Sequence, residues 1–199
     1  MVGIRIKIYF DQEDDFFYPV DFREKVKNLL LNNGIKFFAI SDVLSRKKKY
    51  IHDGFYAPKA KIFLNILDSV SMSSLMNLFI KKAIDTKYGV IKTKLIRFEK
   101  IKPFYEGYFL PPYKNILVFE KLKDPEYAEE YRKRLISLSY KLYKTYPIDN
   151  SLWFIVKKNK ENYKFRLYGS EDMVYIFNIF GLIDKNFNSI AYVLPEKVR

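Results

Sequence analysis

An α+β fold, two tandem βαββαβ units with antiparallel sheets, follows from three observations. Segments with an apolar residue at every second position alternate with segments whose apolar residues recur at helical spacing. The order of elements in the first half of the chain recurs in the second. Between the halves runs "KPFYEGYFLPPYKN", rich in proline and aromatics, which reads as a linker. The 199 residues therefore divide into an N-terminal domain over 1–101, a linker over 102–114 and a C-terminal domain over 115–199.

Each element has its own warrant. "GIRIKIYF" (3–10) alternates Ile4, Ile6 and Ile8 with Arg5, Lys7 and Tyr9, the period of a half-buried strand. In "PVDFREKVKNLLLNN", Phe22, Val26, Leu29 and Leu30 fall at helical spacing, and Gly34 is the stop. Residues 40–58 are irregular and charged, with room for one more strand before "KIFLNIL" (61–67). In "SMSSLMNLFIKKAI", Met72, Leu75, Met76, Phe79, Ile80 and Ala83 form one apolar stripe, and "GVIKTKLIRFEKI" (89–101) is the next strand. The second half adds a strand at "ILVFEKL" (116–122) and a helix at "PEYAEEYRKRLISLSYKLYK". "SLWFIVKK" and "YKFRLYG" are strands joined by the turn "NKEN"; a Ser-capped helix "SEDMVYIFNIF" and a last strand "SIAYVL" follow. This βαββαβ order is the ferredoxin-like (RRM-like) unit, and the first half reads as a variant of it.

Composition narrows the function. The formal net charge is +13, with 19 Lys/Arg against 11 Asp/Glu in residues 1–100 and 17 against 12 in the rest, so no basic tail accounts for it. A folded surface with that bias favours polyanions, nucleic acid first and anionic membrane second. The longest apolar runs, such as "MVYIFNIFGLI", are shorter than the ~20 residues a membrane helix needs, so no membrane partner is expected. "MVGIRIKIYFDQEDD" is not a signal peptide, and a cytoplasmic location is the expectation. With no cysteine and one histidine there is no thiolate nucleophile and no zinc cluster; neither metal nor cofactor is expected. Sheets of this class serve as RNA platforms, although most of the 18 Phe and 17 Tyr should be core.

Three segments taken together carry a family resemblance: "FFYPVDFREKVKNLL", "YIHDGFYAPKAKIFLNIL" and "YGSEDMVYIFNIFGLIDKNFNSIAYVLPE". The chain resembles the CRISPR-associated endoribonucleases of the repeat-associated mysterious protein (RAMP) superfamily, which cut precursor RNA at its repeats into guide RNAs. That family has tandem ferredoxin-like units, a catalytic histidine after the first helix with a basic residue beyond it, and a C-terminal glycine-rich loop. The resemblance places His52 at the catalytic histidine and Lys59 or Lys61 at the basic residue. Leu31 stands where many members carry a tyrosine, leaving Tyr50 or Tyr56 to substitute. The glycine-rich loop is degenerate: Gly181, Lys185 and Asn186 match and are expected to contact RNA, whereas Ile183, Ser189 and Ala191 replace glycines.

The chemistry implied is attack of the RNA 2′-hydroxyl on the adjacent phosphorus, without a metal. A histidine ordinarily titrates near pH 6.5 and contributes about 10²–10⁴-fold as general acid or base. A neighbouring lysine stabilises the charge that develops on phosphate. Asp53 is placed to orient the imidazole, and Arg46, Lys47, Lys48 and Lys49 to hold the RNA backbone. A lone histidine is as a rule structural, and "RKKK" as a rule a solvated face; the surrounding motif favours the functional reading. Three functions fit. The preferred one is a metal-independent endoribonuclease acting on CRISPR repeat RNA. The others are a repeat-RNA binder that does not cut, and an unrelated basic ferredoxin-like RNA binder. Partners beyond RNA would be a second copy of the chain or subunits of a CRISPR interference complex.

Overall fold

The computed structural model describes residues 2–10, 16–67, 72–81, 83–110, 121–147, 149–159 and 162–196. They form two compact units, one ending at Lys100 and the other beginning at Ile101.

In the first unit, β1 (Gly3–Phe10) lies between β6 (Lys61–Leu67) and β9 (Thr93–Lys100), and β3 (Phe38–Ile40) adds to β6. Every neighbour is antiparallel. Helices α1 (Phe22–Asn32) and α2 (Met72–Lys81) supply the crossovers, which completes a ferredoxin-like sheet. The isoleucines of "GIRIKIYF" point to one face as their period requires, with Ile6 and Ile8 wholly buried. Helix α1 buries Phe22, Val26 and Leu30, as the spacing predicts. Helix α2 is shorter than its apolar stripe suggests. Ile80 is exposed and Ala83 lies beyond its end, because the chain there turns into the short hairpin β7 (Ile84–Thr86) and β8 (Gly89–Ile91).

The irregular segment before residue 61 holds more structure than one extra strand. β2 (Phe16–Pro19), β5 (Gly54–Ala57) and β4 (Lys49–Ile51) form a separate antiparallel sheet in the order β2-β5-β4. This sheet is seated on the core by its aromatic side chains. Tyr18 stacks on Phe55 at 5.7 Å and meets Phe22 edge-on at 5.5 Å, while Phe10 meets Phe22 at 5.3 Å. Each buried ring contributes about 1.5–3 kcal/mol by leaving water.

The second unit has the same plan. Its sheet runs β11 (Leu152–Asn159), β12 (Asn162–Gly169), β10 (Glu106–Leu110), β14 (Ser189–Pro195), β13 (Leu182–Ile183), with helices α3 (Pro125–Tyr143) and α4 (Glu171–Phe180). Asp124 caps α3 by accepting from the Glu126 N–H at 3.0 Å, and Ser170 caps α4. Here the expected linker over 102–114 needs correction. Its residues 106–110 are β10, which pairs with β12 on one side and β14 on the other. Proline on both flanks and a length of five residues disguise it, yet Gly107 and Phe109 alternate inward as a strand demands. Buried Asn178 on α4 fastens the segment, accepting from the Phe104 N–H at 2.7 Å and donating to its carbonyl at 3.1 Å. The strand expected over 116–122 falls for the most part outside the described residues.

One glycine in the first unit is required by close approach. A Cβ at Gly54 would sit 2.2 Å from the Tyr18 carbonyl oxygen and 2.7 Å from the Phe17 ring, so a side chain there would force β2 and β5 apart. Gly54→Ala should therefore destabilise the chain by about 1–3 kcal/mol, the usual range for overpacking, read as a lowered urea midpoint. An unchanged midpoint would contradict this packing.

Candidate functional site

Residues 52 and 53 are the two-residue turn between β4 and β5, with Ile51 paired to Gly54 beneath them. The turn is tied from the side as well: Pro19 pairs with Gly54, and the Val20 N–H donates to the Asp53 carbonyl at 3.0 Å. The result is a turn braced by two strands that projects the His52 ring entirely into solvent. His52 Nδ1 lies 3.0 Å from Asp53 Oδ1. An ionised carboxylate only accepts, so in this contact Nδ1 is the donor and Nε2 is the ring nitrogen left to solvent. The Asp53 carboxyl is held below its ordinary range, chiefly by the hydrogen bond from His52; desolvation opposes this, and the charges of Lys87 and His52 and the Tyr88 hydroxyl add smaller lowering effects.

Lys87 and Tyr88 come from the turn between β7 and β8, 34 residues further along than Asp53. Thr86 Oγ1 shapes that turn, donating to the Gly89 carbonyl at 2.8 Å and accepting from the Tyr88 N–H at 3.2 Å. Tyr88 packs edge-on against Phe17 of β2 at 4.2 Å, and the Lys87 ammonium lies 4.7 Å from the Tyr88 ring centre. Its affinity for the proton is raised, first by hydrogen bonding with Tyr88, with Asp53 and Asp21 adding to the effect. The group around His52 is thus imidazole, carboxylate, phenol and ammonium. Nothing in the local sequence of "TKYG" announces the last two.

The lysines expected beside His52 are elsewhere. Lys49 pairs with Tyr56, so the stretch leading into β4 and the stretch leaving β5 lie together at the end of the hairpin opposite the turn. Lys59 is there, exposed and in a left-handed conformation (φ 47°), next to a Pro58 carbonyl that accepts from Ser45 Oγ at 2.7 Å. Exposed Arg46, Lys47 and Lys49 share that end. Lys48 lies over the Phe55 ring at 4.4 Å, where burial lowers its proton affinity and Asp42 partly restores it. β5 alone separates this basic end from His52 by about 10 Å at 3.3 Å per residue. Lys61 opens β6 on the main sheet, 5.7 Å from the Tyr9 ring and 5.3 Å from that of Phe63. Tyr50 is half exposed and packs on Phe55 at 5.6 Å. Tyr56 is on the other face with Phe17 (5.3 Å), and Leu31 is partly exposed on α1.

In the second unit, Gly181 is a helix cap. It is buried at φ 61°; its N–H donates to Phe177 at 2.7 Å, and its carbonyl accepts from the Tyr131 hydroxyl. A Cβ would meet the Ala191 carbonyl oxygen at 2.1 Å, so glycine is demanded there by packing. Lys185 and Asn186 are exposed in the following loop. Asp184 shapes it by accepting from the Asn186 and Asn188 N–H groups at 2.8 and 2.9 Å. Among the described residues no cluster of three or more acidic or histidine side chains could hold a metal ion, and no helix is long and apolar enough to cross a membrane.

No protein-family profile and no curated protein matches the sequence. Solved structures do match in three dimensions. One described as "CRISPR associated protein Cas6" aligns over 98% of this chain and 100% of its own, at a TM-score of 0.71 and 14% identity. A Cas6-related protein from Pyrococcus furiosus aligns over the same shares at 0.68 and 12%, and an RAMP protein binding different RNA substrates at 0.66 and 15%. The fold is that of the Cas6 and RAMP proteins. The Cas6 fold supplies the tandem ferredoxin-like plan; at these identities the arrangement around His52 has to be argued from this chain alone.

Because His52 is the largest contributor to the depressed Asp53 carboxyl, His52→Ala should raise the Asp53 titration more than Lys87→Ala or Tyr88→Phe does. Carboxyl carbon shifts followed by NMR through the acid range read this directly, and an unmoved Asp53 in His52→Ala would show that the pair does not form in solution.

Proposed function

We propose that this chain is an endoribonuclease that cuts CRISPR repeat RNA without a metal ion, releasing guide RNAs. The observation that carries the reading is the braced turn: the only imidazole in the chain is fully exposed, with Nδ1 held by a carboxylate and Nε2 open to a ligand. The surplus of 36 Lys/Arg over 23 Asp/Glu brings a polyanion to it, and the fold shared with Cas6 and RAMP structures agrees in kind.

His52 Nε2 accepts the 2′ proton as the 2′ oxygen bonds to phosphorus, and a proton from the imidazolium goes to the 5′ oxygen as its bond to phosphorus breaks. The products are a 2′,3′-cyclic phosphate and a free 5′-hydroxyl. Asp53 stabilises the imidazolium formed in between, and stays ionised to do so because its carboxyl is held low. Lys87 places positive charge on the same side of the hairpin, where phosphate charge grows. The basic end of the hairpin, Arg46, Lys47, Lys49 and Lys59, holds RNA backbone away from the reacting linkage. Lys185 and Asn186 add contacts from the second unit.

A repeat-RNA binder that does not cut is the second reading. The separation of Lys59 and Lys61 from His52, and the aliphatic Leu31, favour it.

Repeat RNA incubated with the protein in EDTA distinguishes them. Discrete cleavage that falls about 10²–10⁴-fold in His52→Ala, with RNA affinity retained, is the expected result. Binding without cleavage by the parental protein would support the second reading. Cleavage at the parental rate by His52→Ala would refute the role of His52.

A further inference from the structure

The face of the first unit's sheet that points away from its helices carries chemistry that the hairpin site does not use. Alternate residues of β1, β6 and β9 line up across it in rows. Lys61, Tyr9 and Leu95 form one, and Phe63, Lys7 and Arg97 the next. The intervening residues, Ile6, Ile8, Ile62 and Leu64, face the helices and are buried. Phe63, Arg5 and Asn65 on this face are buried, so the open part is the end that carries Tyr9, Lys61, Leu95 and Arg97, and it is cationic around the Tyr9 ring.

The Lys61 ammonium and the Arg97 guanidinium each lie 5.7 Å from the centre of the Tyr9 ring, on neighbouring strands either side of it. Lys61 and Lys7 are also 5.3 and 5.9 Å from the Phe63 ring. Among the described residues the acid on the face is Glu99, which is taken up by Lys7 at 2.6 Å and by Arg5 at 3.4 Å. Among the described residues no carboxylate is paired with Lys61 or Arg97, the two cations beside the Tyr9 ring. Arg97 and Leu95 are exposed, and Tyr9 and Lys61 half-buried, so this end of the face is open to a ligand.

We infer that Tyr9 and the two cations beside its ring, Lys61 and Arg97, bind single-stranded RNA, with a base on the Tyr9 ring and the flanking phosphates on Lys61 and Arg97. Aromatic rings on the two central strands of a four-stranded sheet, with cations beside them, suit a flat base joined to an anionic backbone. An acidic protein segment would be attracted by the charge but would gain little from the ring. On this assignment Lys61 binds substrate and takes no part in the reaction at His52. The inference rests on the RNA reading given above and adds a surface that cleavage alone would not reveal.

Fluorescence anisotropy with an unstructured decaribonucleotide and with repeat RNA, at two salt concentrations, tests it. Tyr9→Ala should weaken binding of the unstructured RNA about 5- to 150-fold, the loss of one stacked base, and Tyr9→Phe should restore it. Lys61→Gln combined with Arg97→Gln should lower the salt slope by about 1.4, at 0.7 per phosphate contact on a single strand. If the parental protein binds RNA while Tyr9→Ala and the double variant match it in affinity and slope, the sheet face is not a binding surface although the RNA reading stands. If an acidic peptide competes as well as RNA and Tyr9→Phe fails to restore affinity, the face binds charge from a protein and the inference is wrong. If the parental protein binds no RNA at all, both readings fall together.

Discussion

β2 can lie against the turn that carries His52 because residue 54 has no side chain. The Tyr18 carbonyl and the Phe17 ring occupy the space a Cβ would need. That approach lets Pro19 pair with Gly54 and the Val20 N–H reach the Asp53 carbonyl, so the turn is gripped from both strands of its own hairpin and from a third. The hydrophobic anchor lies directly below, where Phe55 stacks on Tyr18 in the core of the unit. A fully exposed histidine would ordinarily sample many orientations. Here its backbone is fixed by packing, and its ring is fixed by a carboxylate on the next residue.

The same hairpin separates two kinds of positive charge. At the turn, Lys87 reaches across from another hairpin and, with Tyr88, stands beside an ionised Asp53. At the opposite end, Arg46, Lys47, Lys49 and Lys59 are exposed to solvent together. Charge held next to a reacting group acts on a transition state, whereas charge a strand-length away acts on affinity and on the direction from which a polyanion arrives. The sequence "HDGFYAPKAK" runs these together. Folding into a hairpin pulls them apart, since residues that are near neighbours in the chain come to lie at opposite ends of a strand.

Much of the fold was legible in advance. Phe22, Val26 and Leu30 on α1, and Tyr131, Leu135 and Leu138 on α3, recur at the helical period and are buried. The isoleucines of β1 alternate as a half-buried strand should. β10 escaped notice because prolines flank it and its five residues include a glycine. β4 escaped because Lys49, Tyr50 and Ile51 are all exposed, leaving no apolar face to betray a strand. His52 and Asp53 could be singled out from composition, because the chain has one imidazole and the acid is adjacent. Lys87 and Tyr88 could not: they are ordinary residues at a turn, brought to Asp53 only by the packing of Tyr88 on Phe17. The packing of Gly181 against Ala191 could not be read from the sequence, since those residues meet only in the folded unit.

A nuclease that works through one imidazole has to borrow its nucleophile from the substrate, and that requirement can be put to the RNA instead of the protein. Repeat RNA carrying a single 2′-deoxynucleotide immediately 5′ of the cut should bind with parental affinity and remain intact at that linkage. Cleavage of the deoxy linkage at the rate of the all-ribose RNA would mean that water, activated by some other group, is the nucleophile, and the account of His52 would be wrong.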